Sequence, residues 1–97
     1  MAQQDTLILL SGATSSGTGV RLDGYGYFNW TVYGTFNGAS AQLQWSPDAG
    51  VTYINIDGAA LTANGIHSDI PIDSGLIKVT VTGTATSISS LLGRVGR

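Results

Sequence analysis

With 97 residues the chain has room for one domain and one hydrophobic core, so any function must sit on the surface of that single unit. Four Lys and Arg residues against six Asp, a net charge of −2, cannot build the basic footprint that nucleic acid needs, and one His with no Cys excludes disulfide frameworks, cysteine zinc sites and thiol catalysis. There are 14 Gly, no Glu and a single Lys among many Thr, Val, Ile, Tyr and Ser, a composition that favours pleated strands over helices.

The amino-terminal stretch MAQQDTLILLSGAT has an apolar run only from Leu7 to Leu10, with no basic residue before it, and does not read as a signal peptide. No segment approaches the ~20 apolar residues of a membrane helix, so a soluble chain without a membrane partner is expected. Thr6 to Leu10 suits a short first strand, and the Ser/Gly/Thr run from Ser11 to Gly19 suits a flexible connection. Residues 1–19 are accordingly expected to form a flexible or partly ordered arm, and residues 20–97 the domain proper.

Phe28, Trp30 and Val32 alternate with Asn29, Thr31 and Tyr33, which predicts a strand with a bulky inner face. After the turn-like FNGAS, Leu43 and Trp45 share one face and Gln42 and Gln44 the other, so a hairpin between the two segments is expected. Ser46-Pro47-Asp48-Ala49-Gly50 concentrates turn chemistry, Val51 to Ile56 reads as the return strand, and Asp57-Gly58 reads as its end. Leu61 to Gly65 resembles a loop. Ile66 to Ile72 alternates, with Pro71 marking an edge because it cannot donate to a ladder. Ile77, Val79 and Val81 alternate with Lys78, Thr80 and Thr82 in a one-sided strand ending at Gly83, and Ile88 to Val95 closes the set. Seven or so short strands at this spacing predict an all-β, antiparallel β-sandwich or jelly-roll-like barrel.

Chemistry is sparse. His67, Asp69 and Asp73 would share one face of a regular strand, yet no second His, Cys or Glu completes a metal shell, and their expected role is a polar face beside buried Ile66, Ile70 and Ile72. There is no G-x-S-x-G elbow, and Gly12 to Gly19 matches neither phosphate-binding glycine pattern. Asp48 and Asp57 suit turns better than a calcium loop. No enzyme, cofactor or metal is expected. Phe28, Trp30 and Trp45 fall on core faces, which leaves Tyr25, Tyr27 and Tyr33 as the candidate exposed contacts, together with Arg94 and Arg97 near the carboxyl end.

Leu43, Gln44, Ser46, Asp48, Gly50, Thr52 and Tyr53, followed by Ile56, Gly58, Leu61, Thr62 and Gly65, resemble a hairpin pattern of small tailed-phage virion proteins, over about a third of the chain. The resemblance implies a β-sandwich or jelly-roll capsid component, a cement or decoration protein. It would be made in the host cytoplasm, carried on the capsid surface, and would bind the major capsid protein as a dimer or trimer. Its alternatives are a carbohydrate-binding β-sandwich module and a neck or tail component.

Overall fold

A computed structural model describes residues 6–22 and 24–95. The described chain is all strand and turn, in two antiparallel four-stranded sheets packed face to face; the open edges make it a sandwich and not a closed barrel. In chain order the strands are β1 (Thr6–Ala13), β2 (Val20–Leu22), β3 (Gly26–Thr35), β4 (Ser40–Ser46), β5 (Ile54–Leu61), β6 (Gly65–Ile72), β7 (Gly75–Thr82) and β8 (Ser87–Arg94). One sheet has the order β1-β8-β3-β6 and the other β2-β7-β4-β5.

Period-two patterning places the core where the sequence predicts it. Phe28, Trp30 and Val32 from β3 meet Leu43 from β4 and Ile77 and Val79 from β7, each at most 1 % exposed. Trp30 brings a polar atom into this layer, and its Nε1 donates to the buried Ser90 Oγ at 2.8 Å. That bond fits the general pattern, since no buried side-chain nitrogen or oxygen among the described residues lacks a partner.

Residues 6–19 belong to the sandwich and do not stand apart as an arm. The expected first strand is present and runs on to Ala13, pairs with β8, and sends Leu7, Leu9 and Leu10 into the core. The Ser/Gly run beyond it is tied to β7, where Gly17 N–H donates to the Val79 carbonyl at 3.0 Å and Val81 N–H to Ser16 Oγ at 2.8 Å.

Two expected connections differ. Asn37-Gly38 does make a tight turn, with both residues at positive φ (51° and 81°) and Ala39 N–H donating to the Phe36 carbonyl, but β3 and β4 are not a hairpin. Both edges of β3 are taken by β8 and β6, and both edges of β4 by β7 and β5, so the turn carries the chain from one sheet to the other. The return strand begins at Ile54, because Val51 and Thr52 still belong to the preceding turn. Asp57-Gly58 does not end it: Gly58, at φ 77°, lies inside β5 where Gln42 pairs with Ala60 but Gln44 with Asn55. The extra residues form a bulge.

The Ser46 turn is built around side-chain oxygens. Ser46 Oγ accepts from Gly50 N–H at 2.7 Å and donates to Asp48 Oδ1, which also accepts Thr52 N–H at 2.7 Å. The Thr52 amide, followed by the Thr52 and Ser46 hydroxyls, outweighs partial desolvation and lowers the Asp48 pKa below the ordinary 3.8. A carboxylate with a depressed folded pKa contributes stability that is complete above its unfolded value and is lost as pH falls through the folded one. The stability gap between wild type and Asp48→Asn, followed by thermal unfolding, should therefore narrow as pH drops from neutral to below 3.8.

Candidate interaction surface

The two sheets present different outer faces. On β2-β7-β4-β5 most outward positions are polar, and some bond to one another: Gln44 Nε2 donates to Asn55 Oδ1 at 2.7 Å, and Thr80 Oγ1 to Gln44 Oε1 at 2.5 Å. Lys78 lies over the Tyr53 ring at 4.2 Å, and Arg21 is exposed beside Leu76. Several polar groups of this surface bond to one another, and it carries charge. It has little to gain from burial.

The outer face of β1-β8-β3-β6 is its opposite. Register brings Ile8, Leu91, Thr31 and Ile66 into one row across all four strands. The row ends on two large apolar side chains left in water, Ile8 at 64 % and Ile66 at 62 % exposure. Tyr33 and Ser89 flank the row on one side; Asn29 and Gly93 flank it on the other, with Tyr27 beyond them opposite Pro71. Among the described residues no Lys, Arg or His occupies an outward position on this face, and the one carboxylate beside it is Asp69, at the bulge on the edge strand β6. Scattered apolar surface is ordinary, but an uncharged apolar row on one sheet opposite a self-bonded polar one on the other distinguishes the two faces.

All three candidate tyrosines are exposed, Tyr25 at 58 %, Tyr27 at 38 % and Tyr33 at 47 %. Tyr27 and Tyr33 stand on the apolar face. Tyr25 precedes β3 and meets Tyr27 edge to face, with ring centroids 6.1 Å apart. Its hydrogen bond with the Tyr27 side chain raises the Tyr25 pKa, and partial desolvation and the charges of Tyr27 and Asp73 add to the effect. Arg94 braces the end of the sandwich: it is half-buried, with Nη1 donating to the Tyr25 carbonyl at 3.2 Å and the guanidinium 4.7 Å from the centre of the Phe28 ring. Arg97 lies outside the described residues.

The expected polar face of β6 is rearranged by its bulge. Asp69 adopts a left-handed conformation (φ 57°), and the pairing with β3 jumps from Ile70 opposite Phe28 to His67 opposite Trp30. The slip leaves Ile66 exposed instead of buried and turns His67 toward the seam between the sheets. There its ring stacks on Trp30 at 6.0 Å, and Nε2 lies 3.2 Å from the Ala60 carbonyl of β5. His67, Asp57 and Asp69 line a cleft of ≈ 360 Å³ along this seam. Tyr25, Trp45 and Asp73 line an adjoining one of ≈ 250 Å³. No group of three His, Cys, Asp or Glu side chains among the described residues could hold a metal ion.

Sequence reasoning missed Ile8 and Ile66 as surface residues. For Ile8 a signal was present, since alternation in Thr6-Leu7-Ile8-Leu9 puts it opposite the two leucines; for Ile66 the bulge reverses the parity. No family model, curated protein or solved structure matches the chain.

Proposed function

We propose that this chain is a non-enzymatic structural protein of a virion, a capsid cement or decoration protein that stabilises the head by binding across capsid subunits. The observation that carries the reading is the contrast between the sandwich's faces and its edges. Each edge strand is poor at accepting another strand: β2 has three residues, β6 carries Pro71 and a bulge, β5 is bulged at Gly58, and β1 has two register irregularities. Strand addition is disfavoured at all four, whereas one broad face is left uncharged, with exposed Ile8 and Ile66 at the ends of a row across it. Such a molecule is suited to association by burying a face, and the hairpin resemblance supplies the virion setting.

A single contact of this kind is modest. Repeated over a symmetric shell, many modest contacts become strong wherever the geometry lets copies engage together. Quantitative mass spectrometry of purified virions from the source is the test, with a ratio near one to the major capsid protein expected. A far smaller ratio would move the chain to the neck or tail, and absence from particles would overturn the reading.

The adjoining seam cleft favours a second reading. Tyr25 and Trp45 beside Asp73 combine aromatic surface with a hydrogen-bond acceptor, a chemistry that suits a sugar ring. A carbohydrate-binding module would show glycan affinity that Tyr25→Ala abolishes. The cement reading predicts no glycan affinity and saturable binding to assembled shells.

A further inference from the structure

We propose that the outer face of the β1-β8-β3-β6 sheet closes on the same face of a second copy of this chain, giving a two-fold dimer of sandwiches. The inference rests on reading that face as an assembly surface, and names what covers it. A two-fold contact needs a self-complementary patch. The row Ile8–Leu91–Thr31–Ile66 has this property, with a large aliphatic side chain at each end and the pair Leu91 and Thr31 between.

An axis running along the strands between β8 and β3 sets Ile8 of each copy over Ile66 of the other, and Leu91 over Thr31. Tyr33 and Ser89 share one register level, so the same axis lays the phenol over the serine of the other copy, and Asn29 over Gly93. Sheets packed in this way sit about 10 Å apart with strands within about 30° of parallel.

Charge permits the match. Each copy carries −2, but Arg21 and Lys78 lie on the opposite sheet, Asp48 in a turn, Asp57 and Asp73 at the seam and Arg94 at the end of the sandwich. Asp69 stays at the rim, where water reaches it. No described charge is buried between identical faces. A foreign partner recognised by charge would find nothing here to read, whereas an uncharged copy of the same face meets no repulsion.

Area is enough for a contact. Four strands about 4.8 Å apart and about seven residues long span about 20 by 25 Å, or about 500 Å² on each copy and about 1,000 Å² in total. That is near the lower bound for a specific interface, which places the contact among weak, reversible ones.

Sedimentation equilibrium of the full chain from about 1 µM to about 1 mM tests this directly. Wild type is expected to shift from monomer to dimer, while Ile8→Asp or Ile66→Asp, each placing an unpaired charge in the interface, raises Kd by at least about tenfold. Thr82→Asp, on the outer face of the other sheet, should leave the dimer unchanged, with circular dichroism confirming that every variant folds. Because Ile8 faces Ile66 across the axis, a double variant carrying Ile8→Asp and Ile66→Lys should recover association by pairing the new charges. A wild-type chain that stays monomeric at the highest concentration, or a dimer indifferent to both aspartates, overturns the inference. Monomers that still co-sediment with capsid shells would remove this inference and leave the cement reading standing; dimers that ignore shells would do the reverse.

Discussion

Trp30→Ala is expected to cost about 3–5 kcal/mol, a large part of the ~5–15 kcal/mol that holds a domain of this size together. Trp30 is fully buried at the centre of β3, so truncation opens a cavity in the middle of the sandwich and leaves Ser90 Oγ without its indole donor. It also removes the ring on which His67 stacks. The polar half of this loss can be isolated: Ser90→Ala keeps the ring but strands the Nε1 proton in the core, for an expected cost of about 1–3 kcal/mol. Urea unfolding should show both variants with lower midpoints and an unchanged slope. Combining them should cost less than the sum of the single losses, because the alanine at position 30 has no proton left to satisfy. Strict additivity would mean that the Trp30–Ser90 bond contributes nothing.

Gly34→Ala is expected to lose about 3 kcal/mol or more, for a different reason. Gly34 has φ 134°, and a Cβ there would run into the Ser87 carbonyl oxygen and lie 2.9 Å from the Ile88 Cα. These are backbone atoms of the paired strand β8, so relief requires β3 and β8, the two central strands of their sheet, to separate near the end of their ladder. Gly38→Ala is the control. Its φ of 81° is also left-handed, but a Cβ there has open space, so only the conformational cost of about 1 kcal/mol is expected. Thermal unfolding of the two variants separates steric clash from backbone preference, and equal losses would contradict the close approach of β3 to β8.

Strands with unbroken alternation were legible in the sequence. Phe28-Trp30-Val32 and Ile77-Val79-Val81 declare an inner face through side-chain period alone, and Pro71 declares an edge by lacking a donor. What sequence could not convey was which strand edges were already occupied. Asn37-Gly38 has the chemistry of a hairpin turn and makes the turn, yet it joins two sheets, because pairing is decided by distant strands such as β8. The candidate surface was legible only in part. Tyr27 and Tyr33 were found from parity, but Ile66 was assigned to the core because nothing in the letters around Asp69 announces that its backbone turns left-handed and shifts the register.

The edge irregularities have a consequence for how the protein can be made and stored. High concentration is the condition under which a smooth, hydrophobic β-edge seeds cross-β fibrils. Here the register irregularities of β1, the bulges at Gly58 and Asp69, the proline at 71 and the brevity of β2 interrupt each ladder before a foreign chain could extend it in register. Concentrated solutions should therefore resist amyloid conversion even though most of the chain is strand, and seeding assays that follow thioflavin fluorescence should show growth only when the sandwich is first unfolded.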